Sequence, residues 1–102
     1  MKSESQIQSA ILNFLRTLGK FRWAVKVEVC SERGVPDILC CYRGRFVGFE
    51  VKTAKGKISG PQRVQNERIR RACGRAVIVH CVEDVQAGFK HIDKEIDAHE
   101  VP

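Results

Sequence analysis

No apolar run in this chain approaches the roughly 20 residues needed to cross a bilayer, so a helical membrane protein is excluded. The opening Met1–Gln6 lacks the apolar core of a secretory leader, and nothing in the chain argues for export. There is no CxxC pair. The cysteines are Cys30, Cys40, Cys41, Cys73 and Cys81, an odd set that suits neither a disulfide framework nor a zinc knuckle. Cys73, His80 and Cys81 form the one loose cluster, but adjacent strand residues such as His80 and Cys81 point to opposite faces. Most of the cysteines sit in apolar runs, where a free thiol behaves as a small hydrophobe. Reduced thiols in a cytoplasmic protein are the expectation. His80, His91 and His99 show no ligand spacing, and His80 reads as a core histidine at a strand end. Internal repeats and low-complexity tracts are missing too.

What is present is positive charge, unevenly spread. The chain carries a formal +6, of which residues 1–75 hold a net +10 and residues 76–102 a net −4. A basic body suits a polyanionic partner and favours nucleic acid. At 102 residues the chain is read as one domain, 1–102, able to bury one sheet with helices on it.

Residues 3–18 are predicted as an amphipathic helix, with Ile7, Ala10, Ile11, Phe14, Leu15 and Leu18 on one face, Ser3 as cap and Gly19 as stop. Phe21–Val29 alternates Trp23, Val25, Val27 and Val29 against Ala24, Lys26 and Glu28, the pattern of a half-buried strand. Two strands are expected at about 36–42 and 45–52, joined by a turn at Arg43-Gly44. Pro36 sits at the first strand's start, where its missing N–H does no harm. After a flexible loop at 53–60, Ser59-Gly60-Pro61-Gln62 starts a helix that runs to about Cys73, with Gly74 ending it. Ala76–Val82 reads as a central strand covered on both faces. A short helix opens at Glu83-Asp84, and the tail from His91 to Pro102 is expected to be a short helix with a frayed end. The order is α-β-β-β-α-β-α, with a meander of three strands and a fourth reached by a parallel crossover.

Chemistry concentrates at one end of this plan. Val35-Pro36-Asp37 opens one strand and Phe49-Glu50-Val51-Lys52 closes the next. Paired as a hairpin, they bring Asp37 beside Glu50 and Lys52, and Glu50 and Lys52 share a face. Either residue alone could be bland: Asp37 a turn residue, Glu50 and Lys52 an exposed ion pair. Together, two carboxylates and an ammonium suit metal-assisted hydrolysis of a phosphodiester. Hard Mg2+ or Mn2+ would take Asp37 and Glu50 as oxygen ligands, and Lys52 would hold water or stabilise charge growing on phosphate.

These pieces resemble a known family. Glu4 in the first helix, Gly34-Val35-Pro36-Asp37, Phe49-Glu50-Val51-Lys52 and Ser59-Gly60-Pro61-Gln62 look like the PD-(D/E)xK nuclease superfamily, and within it the virus-type replication-repair nuclease (VRR-NUC) domain. The resemblance implies an α/β, restriction-endonuclease-like core with a mixed four-stranded sheet flanked by helices. It implies Asp37, Glu50, Lys52, Gln62 and Glu4 in the catalytic site, and the Val51 carbonyl as a further ligand beside Asp37 and Glu50. Glu4 also reads as a first-turn carboxylate facing the helix dipole, and Gln62 as the third residue of a capping box. Gln8 shares the face of Glu4.

The resemblance further implies Mg2+ or Mn2+ as cofactor, products with a 5′-phosphate and a 3′-hydroxyl, and resolution of four-way (Holliday) junctions in branched DNA by a homodimer. The setting would be the cytoplasm of a bacterial cell, with a phage-encoded origin compatible. Other readings on the same residues are a nuclease acting on flaps, nicks or duplex, and a catalytically silent nucleic-acid-binding module. Lys55 and Lys57 on the loop, with Arg63 and Arg70 on the second helix, are the expected DNA contacts, to backbone rather than bases. Phe21 and Trp23, without an evident partner, mark the first helix and the neighbouring strand edge as a dimer surface.

Overall fold

The computed structural model describes residues 1–100. Helix α1 spans Glu4–Arg16 and strand β1 Arg22–Lys26. Strands β2 and β3 span Ile38–Tyr42 and Arg45–Val51, helix α2 Gly60–Arg71, strand β4 Arg75–Val79 and helix α3 Val82–Glu100. The architecture is α/β, with the expected order α-β-β-β-α-β-α. Among the described residues no helix is long and apolar enough to cross a membrane.

Both caps form as the sequence predicts. Ser3 and Gln6 close a capping box on α1, and Ser59 and Gln62 close one on α2. The sheet order is β1-β2-β3-β4, antiparallel through β3 and parallel between β3 and β4. One face carries Ile38, Cys40, Val47, Phe49 and Val51, which pack with Ile7, Ile11 and Leu15 of α1 and with Val85, Phe89, Ile92 and Ile96 of α3. Each fully buried side chain of this kind contributes about 1.5–3 kcal/mol, so this layer holds the sheet rigid. The opposite face carries α2, packed over β4 and reaching β3 through Gln62 and Ile69.

Several expectations are corrected. Strand β4 lies at the sheet edge, not at its centre, and β3 is the strand covered on both faces. The region after Val82 is one 19-residue helix. Its buried Val85, Phe89, Ile92 and Ile96 recur at helical spacing inside an acidic segment, which hid the pattern. Of the tail from His91 to Pro102, expected to end frayed, the helix holds the residues through Glu100, and Val101 and Pro102 lie outside the described residues. Strand β1 is shorter than 21–29, and its apolar side faces out: Trp23 is 56 % exposed, Val25 39 % and Val29 92 %. The two-helix layer packs on the other face, against Ala24, so alternation was right and its polarity reversed. His80 is exposed rather than in the core.

Two glycines set the frame of the site. Gly34 has φ +81°, and a Cβ there would lie 2.3 Å from the carbonyl carbon and oxygen of Pro61. The loop before β2 therefore rests directly on the first turn of α2. A Cβ on Gly48 would meet Pro36 at 2.7 Å, so the bare strand backbone seats the proline that precedes Asp37.

Candidate active site

The β2–β3 register pairs Ile38 with Phe49, which places Asp37 just before β2 opposite Glu50. Asp37 Oδ2 accepts a 2.8 Å hydrogen bond from the Val51 backbone N–H. The N–H and C=O of one strand residue point to the same side, so the Val51 carbonyl is aimed toward Asp37 as well. The next amide alternates: Lys52 N–H donates to the Val79 carbonyl at 3.0 Å, on the β4 side.

Glu50 lies on the α2 face of β3 and is only 1 % exposed. Its Oε1 accepts from the Gln62 side-chain amide at 2.7 Å, while Oε2 has no partner. The Gln62 amide makes two contacts at once: its oxygen closes the capping box from Ser59 N–H at 2.8 Å and its nitrogen holds Glu50. Burial pushes the Glu50 carboxyl up to about 8; the adjoining Asp37 carboxylate adds to the rise, Lys52 opposes it, and Glu4 adds a little.

Lys52 lies mostly buried, with Nζ 4.0 Å from Glu4 Oε1. The structure thus brings Asp37, Glu50, Val51, Lys52, Gln62 and Glu4 to one end of the sheet. Lys55 and Lys57 flank Gly56, whose Cβ position lies 3.3 Å from the Lys52 stem, so this exposed loop folds back beside the centre. Arg63 is exposed next to Gln62. Arg70 is not brought to the site. It is eight residues beyond Gln62, about 12 Å along the helix, and its guanidinium donates to the Ala76 carbonyl at 2.8 Å.

Sequence reasoning missed the contact of His80, whose Nδ1 lies 3.0 Å from the Lys52 carbonyl and ties the end of β4 to the end of β3. No local signal announces this contact, which depends on the parallel β3–β4 pairing. All five cysteines are free, and burial pushes the Cys40 thiol up to about 11, so it is an inert core residue. A cavity of about 610 Å3 between β4 and α3 is lined mainly by apolar residues, with His80 in its wall.

Among solved structures, one described as a VRR_NUC domain superposes on this chain with a TM-score of 0.72, over 86 % of this chain and 95 % of that one. The chain has the fold of a VRR-NUC domain. The two sequences share 24 % identity. No protein-family model and no curated protein matches the chain. The VRR-NUC fold is a restriction-endonuclease-like arrangement, and the carboxylates described above stand at the end of its β2–β3 hairpin.

The donor set suits a hard divalent cation. Among the described residues no three His, Cys, Asp or Glu side chains cluster as a metal centre. The set is instead two carboxylates and a backbone carbonyl, fitting for Mg2+, which keeps several waters when bound. The partnerless Glu50 Oε2 fits such a set, since a buried carboxylate oxygen with nothing to accept is costly unless a proton or a cation meets it.

Proposed function

We propose that this protein is a Mg2+- or Mn2+-dependent endodeoxyribonuclease that hydrolyses phosphodiester bonds in branched DNA, acting as a homodimer on four-way junctions. The reading rests on one observation above all: a buried Glu50 carboxylate, one oxygen free, facing Asp37 beside Lys52 at the end of the sheet.

A cation held by Asp37, Glu50 and the Val51 carbonyl would neutralise phosphate charge and make water more acidic. The residues divide the remaining work. Asp37 is fixed by the Val51 N–H, so its second oxygen has a defined direction. Gln62 locks the Glu50 rotamer from the first turn of α2. Lys52 brings a positive charge to the same point, and its stem is packed under Gly56, so it orients water or meets charge developing on the phosphate. Glu4 holds the ammonium from the other side. Lys55, Lys57 and Arg63 stand exposed around this centre, where a phosphate backbone would pass.

The homodimer is supported by the sheet face that α2 leaves bare. Trp23, Val25 and Phe46 lie on one side of β1–β3, all substantially exposed. A contiguous apolar patch on a basic domain marks a contact surface. Paired incisions across a two-fold junction call for two centres related by the same symmetry.

The test is cleavage of end-labelled linear, flap, nicked and four-way DNA with magnesium, manganese or chelator. Cutting of the four-way substrate that needs metal is the expected result. Cutting of flaps or nicks alone would replace the junction reading, and binding without cleavage in either metal would point to a silent module.

A further inference from the structure

Four buried side-chain atoms among the described residues have no hydrogen-bond partner, and three of them belong to two residues, Asn66 and Glu50. Asn66 is 2 % exposed, with both its Oδ1 and its Nδ2 unpartnered. An unsatisfied buried polar atom costs about 1–3 kcal/mol, so an asparagine with two of them at this position demands a reason.

Its position supplies one. Asn66 follows Gln62 by four residues, one helical turn, so both project from the same side of α2. Gln62 touches Glu50 at 2.7 Å. Three residues beyond Asn66, Ile69 Cδ1 lies 3.5 Å from the Cβ position of Gly48. Gly48 and Glu50 are successive residues on the same face of β3. Asn66 is therefore bracketed between a contact to Glu50 and a contact to Gly48, directly over the strand whose free carboxylate oxygen is the third orphan.

We propose that Asn66 and Glu50 Oε2 share one ordered, buried water, which makes Asn66 a positioning residue for the metal-binding carboxylate. The stoichiometry closes: a buried water takes two to four polar partners, and the amide oxygen, the amide nitrogen and the carboxylate oxygen supply three. A carboxylate oxygen has two lone pairs, so accepting from this water leaves one for a cation. With Gln62 on Oε1 and the Asn66 water on Oε2, both oxygens of Glu50 are held from α2 before any cation arrives. Outer-shell partners of this kind typically change metal affinity about 10- to 100-fold. The inference rests on the nuclease reading above, in that it gives Glu50 the metal.

The test is Mn2+ titration, by calorimetry and by the loss of free-ion paramagnetic signal, on folded wild type, Asn66→Leu and Asp37→Ala. Leucine matches the shape of asparagine without its polar atoms. The expected result is about tenfold weaker Mn2+ binding in Asn66→Leu, with a metal-free melting temperature equal to or above wild type. A merely structural asparagine would show the reverse: unchanged Mn2+ affinity and an altered melting temperature, and that result overturns the proposal. If Asn66→Leu does not fold, Asn66→Ala takes its place: tenfold weaker Mn2+ binding is expected there too, and unchanged affinity overturns the proposal. Binding that is lost in Asp37→Ala but intact in the Asn66 variants defeats this inference alone, whereas a wild type that binds no Mn2+ defeats the nuclease reading. In that second event a crystal structure still decides the water, because its absence between Asn66 and Glu50 overturns the proposal.

Discussion

The Gln62 side chain donates to Glu50 Oε1 at 2.7 Å while its own oxygen accepts from Ser59 N–H at 2.8 Å, so one amide both starts helix α2 and holds the buried carboxylate. The cap of the helix and the hold on the carboxyl thereby depend on the same side chain. The arrangement also explains why the loop before β2 needs Gly34, since that loop lies against the same first turn.

Asp37→Ala, Glu50→Ala and Lys52→Ala are each expected to lower cleavage by a factor of about 10² or more, with DNA binding largely kept. Glu4→Ala, which removes a partner of the lysine rather than a ligand, is expected to be milder. The comparison is single-turnover cleavage beside a binding titration. Full activity in Lys52→Ala would remove the lysine from the mechanism.

The metal-free protein is expected to lose stability as pH rises from about 4.5 to about 8, to the extent that Glu50 contributes. The sign follows from linkage. The folded state holds the Glu50 proton more tightly than the unfolded chain, so that contribution is complete below the unfolded value and lost through the folded one. Glu50→Gln keeps the shape and removes the titration. It is expected to be more stable than wild type at pH 8 by on the order of 2 kcal/mol, with the difference closing toward pH 4. Denaturant melts at several pH values measure it. Mn2+ should narrow the gap at pH 8 by stabilising wild type alone.

Gly34→Ala is expected to destabilise the fold by roughly 2 kcal/mol or more, because φ is +81° and the added methyl would overlap the Pro61 carbonyl. The same change should disturb Gln62 and weaken Mn2+ binding. Gly60→Ala, where a Cβ meets nothing, is the control. Equal melting temperatures for the two variants would show that the loop does not rest on the helix as described.

Replacing Lys55 and Lys57 together by alanine is expected to weaken binding to every DNA shape and to reduce the log–log salt slope by roughly 1–2 units. Fluorescence anisotropy over a salt series reads the slope. No change would place this loop away from the phosphate backbone.

Wild type is expected to sediment as a dimer and Trp23→Lys as a monomer, because a charge would enter the bare apolar face of β1–β3. A monomeric wild type at micromolar concentration, with and without four-way DNA, would remove the paired-incision argument.

The order of elements, both helix caps and the approach of Asp37 to Glu50 were legible in the sequence because each depends on neighbours in the chain. Ser3 and Gln6, or Ser59 and Gln62, satisfy backbone groups three residues apart. The hairpin register follows from the short Arg43-Gly44 turn, and alternation then sets which side chains share a face. Alternation could not say which face of β1 is covered, since that depends on where α1 and α3 pack. Nor could it place β4 at the edge, because an apolar run reads alike whether a strand or open space lies beside it. The acidic stretch after Val82 hid a long helix whose apolar stripe acquires meaning only against the sheet. The same limit applies within the site. Spacing brought the charged residues together, but the burial of Glu50, its unpartnered oxygen and the equally unpartnered Asn66 arise from α2 closing over β3, a contact between segments that no local pattern encodes.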